Sequence, residues 1–313
     1  MKTALITGAG GQDGRLLSRL LLADHWELAG LVRHEASTVE PGMRTIVCDV
    51  GDGKALRETL DAVKPSRVVH LAAAHHSSEG GAGDKNAEVA AMIRVNFEAA
   101  ATLLDWIAAK SRTTRAVFAG SSQMYQAQGA DLIVDETTPA NPRTFYGHTK
   151  VWTRDLVRHA RERLGLHAGF AVLFNHESEL RGPSYVTRKI VDAAVSGAPL
   201  ELLNIGGRAD WSAARDIVAA LAAMAERASA SEYVLGSGEA HRVRDWVEIA
   251  YARAGRDSAT VTAKSDAPNF IPIANPRKAI LDGVWRPRSA FHTLVESMTG
   301  AIAGTRSPAT GPH

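Results

Sequence analysis

Thr7-Gly8-Ala9-Gly10-Gly11-Gln12-Asp13-Gly14 directly follows a short apolar run at residues 3–6 and precedes the leucine-bearing stretch Arg15-Leu-Leu-Ser-Arg-Leu-Leu-Leu-Ala23. The run reads as a buried parallel strand, and leucines spaced three and four apart share one helix face. The glycines between them have separate physical tasks. Gly8 permits a tight turn, Gly11 lets backbone approach a pyrophosphate, and Gly14 lets the helix pack closely on the strand. The helix start offers unpaired N–H groups and the positive end of its dipole, with Gln12 and Asp13 in that first turn. A generic strand-to-helix turn can also be glycine-rich, but this position, after the first strand, favours a dinucleotide loop.

The same alternation continues outward. Strand-like runs at 26–32, 44–48, 67–72, 115–120 and 167–174 are separated by helical stretches at 53–63, about 88–109 and about 143–164. Such alternation predicts an α/β fold, a doubly wound parallel sheet of Rossmann type, over residues 1–175. Beyond it the pattern mixes helices near 185–196, 213–227, 242–254 and 288–303 with strands near 200–203 and 232–235. Residues 176–304 are therefore expected to form a smaller substrate-binding lobe interleaved with the last sheet elements. Glu79-Gly-Gly-Ala-Gly-Asp84 reads as a flexible loop beyond a strand's carboxyl end. The Pro/Gly/Ser/Thr-rich tail 305–313 reads as disordered.

Composition narrows the class. The 313 residues are 45% hydrophobic and 22% charged, with net charge +2. That balance gives no argument for nucleic acid or an acidic membrane surface. No apolar run reaches the roughly 18 residues of a membrane span. The single cysteine, Cys48, excludes an internal disulfide framework and points to a reducing cytoplasm. The N-terminus enters a strand rather than an export signal.

Tyr146 and Lys150, in Thr144-Phe-Tyr-Gly-His-Thr-Lys150, fall four apart on a predicted helix and so share a face. An ammonium beside a phenol favours phenolate, which would give a proton-transfer group for hydride chemistry at a carbinol or carbonyl carbon. An ordinary surface helix can show the same spacing, so the pair counts only alongside the glycine loop. Ser121 and Ser122 follow the apolar strand Ala116-Val-Phe-Ala-Gly120, where a hydroxyl can bond the reacting oxygen; a simple turn pair is the other reading. At the end of the second strand, Leu31-Val32-Arg33-His34 with Ser37 nearby favours NADP, since Arg suits a 2′-phosphate. Glu35 leaves NAD as the other candidate. Asp49 and Val50 are candidate adenine contacts, and Leu71, Ala72 and Ala73 are small enough, or placed suitably, for close approach of a cofactor. His70, His75 and His76 have no carboxylate or cysteine at metal-ligand spacing and read as structural or loop histidines, with no metal site expected.

With these residues in hand, the chain resembles the extended short-chain dehydrogenase/reductases, and among them the GDP-mannose 4,6-dehydratase family. Gly-Gln-Asp-Gly at 11–14 is similar to that family's glycine loop. Leu173-Phe-Asn-His-Glu-Ser178, Arg181-Gly182 and Tyr185-Val-Thr-Arg-Lys-Ile190 are similar to its substrate-binding segment. The resemblance implies hydride transfer from sugar C4 to NADP, loss of water across C5–C6, and return of the hydride at C6. It also implies that Tyr146, Lys150 and Ser121 form the redox triad, that Asn175, Glu177 and Lys189 contact a GDP-linked hexose, and that the protein is a homodimer. Ser122 and Arg208 join the expected substrate contacts.

Two departures from the pattern matter. Ser121-Ser122-Gln123 replaces Thr-Ser-Glu, so the family's C5 base is a neutral amide here, and Arg208-Ala-Asp-Trp-Ser-Ala213 replaces Arg-Asp-Trp-Gly-His. A 4-keto-sugar reductase or an epimerase without elimination is therefore the alternative enzyme, and a non-catalytic nucleotide-binding partner protein is the alternative from another class.

Overall fold

A computed structural model describes residues 2–75 and 85–306. The strands are β1 (Thr3–Thr7), β2 (Glu27–Val32), β3 (Arg44–Val47), β4 (Arg67–His70), β5 (Arg115–Ala119), β6 (Leu132–Val134) and β7 (Ala168–Leu173), then β8 (Asn175–Glu177), β9 (Glu201–Leu202), β10 (Arg208–Ala213), β11 (Glu232–Leu235), β12 (Ala240–Arg242), β13 (Thr262–Ala263) and β14 (Pro272–Ala274). The helices are α1 (Gln12–Ala23), α2 (Gly53–Val63), α3 (Lys85–Met92), α4 (Ala99–Lys110) and α5 (Phe145–Leu164), then α6 (Val186–Ser196), α7 (Ala214–Glu226), α8 (Val243–Arg253), α9 (Arg277–Leu281) and α10 (Phe291–Arg306).

Seven strands form one sheet in the order β11-β7-β5-β4-β1-β2-β3, and each neighbouring pair is parallel. The expected doubly wound sheet is present. The chain runs outward from β1 to β3, then crosses back to β4 on the other side of β1. The carboxyl ends of β1 and β4 therefore flank the switch point, where open parallel sheets bind ligands. Leu5, Ile6, Val68, Ala116 and Phe118 are essentially inaccessible to solvent, because helices cover both faces; that is why these strands read as unbroken apolar runs. Burial of the larger of these, Leu5, Ile6, Val68 and Phe118, contributes roughly 1.5–3 kcal/mol each.

A second core gathers α6, α8 and α10 around Trp211 and Trp246, whose rings meet edge-on at 5.9 Å. It packs on a small sheet ordered β12-β10-β8. Thus β8, immediately after β7, carries the chain out of the large sheet, while β11 brings it back to the edge beside β7. Asp210 of β10 ties these parts together. Its carboxylate accepts from the N–H groups of Ser237, Gly238 and Ala274 and from the Ser237 hydroxyl, at 2.6–3.0 Å. The Glu79–Asp84 loop and His76 lie outside the described residues, as does the tail from residue 307; residues 305 and 306 close α10.

Three features of the elements were not legible in the periodicity. The helix expected over 88–109 is interrupted by a π-helical turn at Ile93–Glu98. The short strands β6, β8, β10, β12, β13 and β14 have two to six residues each, too few to establish an alternation. Short α9 at Arg277–Leu281 was likewise hidden.

Candidate active site

At the switch point the glycines separate by role. Gly8 has φ +70°, and a Cβ there would meet the Ala72 backbone N at 2.9 Å. A Cβ on Gly14 would lie 2.3 Å from the Gly8 carbonyl oxygen, so this glycine lets α1 sit against the turn. Gly11 is different: within 4 Å its Cβ would meet only the Gly8 oxygen, at 3.3 Å, so its outer side faces open space. Gly8 and Gly11 line a cleft of about 300 Å³ together with Arg33, His34, Asp49, Val50, Ala72 and Ala73. A narrow backbone cradle at a helix start, with an adenosine-sized slot beyond it, fits a dinucleotide phosphate.

Gln12 and Asp13 also face the second core. Asp13 Oδ2 lies 2.9 Å from His176 Nε2, Gln12 Nε2 donates to the His176 carbonyl at 3.1 Å, and Ser178 donates to Gln12 Oε1 at 2.9 Å. Burial opposes the Asp13 charge, but His176 more than offsets it, and the carboxyl lies below its usual range. The glycine loop is therefore bonded directly to the segment that follows β7.

The residues expected to carry the redox chemistry converge beside this cleft. α5 starts at Thr144, whose hydroxyl accepts from Gly147 N at 3.0 Å, and ends at Gly165 with φ 64°; both are standard helix-end chemistry. Gly147 is required by proximity, since a Cβ there would lie 2.3 Å from the Gln123 carbonyl. That close approach brings Tyr146 beside Ser121, whose hydroxyl favours the ionised phenol. Lys150 is buried, donates to the Ala119 carbonyl at 2.8 Å, and sits 5.6 Å from the Tyr146 ring centroid.

The electrostatics correct one expectation. Burial pushes the Tyr146 phenol up to about 12, against the Ser121 hydrogen bond that favours its ionised form. Burial likewise brings Lys150 down to about 8. The phenol thus keeps its proton as the site stands, because desolvation of the phenolate outweighs the help from Ser121.

Asn96 is the residue that sequence reasoning missed. It is fully buried in the π-helical turn; its Oδ1 accepts from Ala74 N at 2.8 Å, and its Nδ2 donates to the Ala74 carbonyl at 2.8 Å and to Thr149 Oγ1 at 3.0 Å. It fastens the loop after β4 to α5 at the residue next to Lys150. The available signal was a lone Asn inside the apolar stretch Met92-Ile-Arg-Val-Asn-Phe97, and a π-turn at a functional site is a recurrent association.

The expected substrate contacts divide. Asn175 is exposed at the start of β8, and Lys189 is half-buried on α6. Glu177 is buried, held by Arg181 at 2.6 and 3.0 Å and by the Thr187 hydroxyl at 2.9 Å. Its carboxylate thus fixes Arg181, whose guanidinium stacks 4.2 Å over the Tyr185 ring. Arg208 pairs with Asp131 at 2.9 Å. Ser122 opens the short 3₁₀ turn after Ser121, and exposed Gln123 accepts from Thr144 Oγ1 at 3.1 Å. Leu71 adjoins this region, its N–H bonded to the buried Thr7 hydroxyl at 3.1 Å.

A parallel sheet with a glycine cradle at its switch point and a Ser/Tyr/Lys set at the adjacent strand ends defines an NAD(P)-dependent α/β enzyme of the extended short-chain dehydrogenase/reductase class. The GDP-mannose 4,6 dehydratase family model matches residues 5–298, and the chain belongs to that family. It is 30% identical to GDP-mannose 4,6 dehydratase 1 of Arabidopsis thaliana, over 95% of this chain and 88% of that protein. It is 32% identical to GDP-mannose 4,6-dehydratase of Sinorhizobium fredii, over 81% and 77%. Among solved structures, UDP-glucose 4-epimerase of Thermotoga maritima aligns with TM-score 0.85 at 17% identity, over 97% of this chain and 99% of that one. dTDP-glucose 4,6-dehydratase of Bacillus anthracis, in complex with NAD, aligns with TM-score 0.82 at 16% identity, over 96% of each. At these identities the structural matches establish the fold.

Proposed function

We propose that this protein is a nucleotide-sugar 4,6-dehydratase that uses NADP for hydride transfer at C4 of a GDP-linked hexose. The convergence of Ser121, Tyr146 and Lys150 beside the glycine cradle carries this reading. Gly8, Gly11 and the first turn of α1 would hold the pyrophosphate, Asp49 and Val50 would flank the adenine, and Arg33 would meet a 2′-phosphate. A dinucleotide held there would supply the hydride acceptor and donor. Ser121 bonds the sugar C4 oxygen, Tyr146 exchanges the C4 hydroxyl proton, and Lys150 supplies the cation beside it. In this reading Asn175 and Lys189 contact the nucleotide sugar, and Glu177 acts through Arg181. Support for a GDP-linked sugar comes from the family and from the curated relatives' names.

Gln123 favours a second reading, in which the enzyme oxidises or reduces C4 without eliminating water, as a reductase or epimerase would. A carboxamide has no useful basicity, so elimination needs a base elsewhere. Incubation with GDP-mannose and NADP, followed by mass spectrometry of the sugar nucleotide, separates the two: loss of one water supports dehydration. In Tyr146→Phe both outcomes should fall at least ~100-fold, as removal of a positioned proton-transfer group does. We also read the protein as a homodimer, supported by Trp152 on α5, 40% exposed and packed edge-on against Phe97 and Phe145. Among the described residues no helix is long and apolar enough to cross a membrane, and the single cysteine supports a cytoplasmic site of action.

A further inference from the structure

Elimination requires removal of the C5 proton, which the C4 ketone acidifies, and a group to receive it. Gln123 has no free lone pair of sufficient basicity, and its amide oxygen is engaged by Thr144. The two neighbouring carboxylates are committed elsewhere: Glu177 to Arg181 and Thr187, Asp13 to His176.

His75 is placed differently. It follows the small-residue strip Ala72–Ala74 at the cleft mouth and is solvent-accessible there. Its ring meets Tyr146 edge-on, with centroids 6.2 Å apart and planes at 66°. On its other side it faces Tyr185, centroids 6.3 Å apart, with Nε2 3.0 Å from the Tyr185 hydroxyl. Tyr185 is in turn covered by Arg181, which Glu177 immobilises. The imidazole is thus held between the redox phenol and the segment expected to carry the sugar.

We propose that His75 is the base that removes the C5 proton, in place of the carboxylate absent at position 123; this rests on the dehydratase reading above. With Nε2–H donated to the Tyr185 oxygen, the lone pair is on Nδ1. Nδ1 takes the C5 proton, the C5–H electron pair becomes the C5=C6 bond, and the C6–O bond breaks. The departing hydroxyl takes the proton from the imidazolium and leaves as water. Hydride return to C6 is then balanced by a solvent proton at C5. Partial desolvation, then the Arg181 and Lys150 cations, hold His75 below the usual imidazole range, so it is unprotonated at neutral pH. The groups facing it are Tyr146 and Lys150 from α5 and Arg181 and Tyr185 from the turn before α6.

The test uses His75→Asn in the full chain with NADP and GDP-mannose in D₂O. The expected result is retained NADP affinity and retained formation of bound NADPH on mixing. Deuterium entry at C5 and formation of the dehydrated product should both fall at least ~100-fold. Adding Gln123→Glu to His75→Asn should restore both, which a purely structural loss would not allow. Wild-type rates of C5 exchange in His75→Asn overturn the role of His75 alone. Joint loss of NADPH formation and exchange also overturns it, because the residue would then only shape the site. Failure of the wild-type protein to form NADPH with GDP-mannose overturns the dehydratase reading itself, and the role of His75 with it.

Discussion

At the scale of single residues, the proposed preference for NADP rests on Arg33. Its exposed guanidinium borders the cleft at the end of β2, with Nε 3.0 Å from His34 Nε2. Replacing it removes a fixed positive charge from the 2′-phosphate side and touches neither the pyrophosphate cradle nor the nicotinamide end. Arg33→Ala is therefore expected to weaken NADP at least ~10-fold, in keeping with about 1.5–3 kcal/mol for a hydrogen bond to a charged group, and to leave NAD nearly unchanged. Paired Kd measurements by fluorescence titration decide it; equal losses for both cofactors would remove Arg33 from the 2′-phosphate role. The Tyr146/Lys150 pair shows the limit of residue-level inference. Its spacing was readable, but the phenol's protonation depends on how deeply α5 is packed, which no pairwise spacing encodes.

At the scale of elements, α5 carries both proposed catalytic groups, Tyr146 and Lys150, and its start is capped by one hydroxyl. Thr144 Oγ1 accepts from Gly147 N and donates to Gln123 Oε1, so it caps the helix and pins the loop after β5 together. Thr144→Ala should lower stability by about 1 kcal/mol and should also loosen Gln123 and Ser121 relative to Tyr146. A urea titration checks the first effect, and a fall in kcat beyond what the stability loss explains checks the second. Asp52→Ala is the matched comparison: it caps α2 through Lys54 N and Ala55 N, away from the redox groups, and should cost similar stability with kcat intact. Helix caps of this kind are legible in a sequence, because they depend on one or two nearby residues. The π-turn at Ile93–Glu98 was not, because it is stabilised by Asn96 bonding to Ala74 and Thr149, 22 and 53 residues distant.

At the scale of the whole molecule, the centre of the sheet sets a pH dependence. His70 ends β4 with its Nδ1 2.8 Å from the buried Thr7 hydroxyl, and burial, then the Lys150 cation, pushes its imidazole down to about 3. The unfolded chain, with an ordinary imidazole near ~6.5, therefore binds more protons than the folded chain between about 3 and 6.5. Stability should fall as pH drops through that window, by up to about 1.4 kcal/mol per pH unit. His70→Asn keeps an acceptor for Thr7 and removes the titration, so its urea midpoint should decline less than wild type between pH 6.5 and pH 4; parallel curves would refute the assignment. Comparison with wild type isolates this term from the Asp13–His176 pair. That pair works in the opposite sense on His176, whose raised imidazole stabilises at low pH and loses that contribution as pH rises through its folded value.

By itself the sequence determined the parallel sheet, the glycine cradle after β1, the Ser/Tyr/Lys set and the absence of a carboxylate at Gln123. Each depends on local pattern or on the chemistry of one side chain, and local pattern survives reading in one dimension. The tertiary structure alone decided which groups meet. It bonded Gln12 and Asp13 to the segment after β7, turned Glu177 inward onto Arg181, placed Asn96 under the loop after β4, and set His75 between Tyr146 and Tyr185. Apart from the local Glu177–Arg181 pair, these encounters join residues 22 to 166 positions apart. Such pairings are chosen by how the sheet crosses over and how its helices pack, and desolvation at those contacts sets which groups hold their protons.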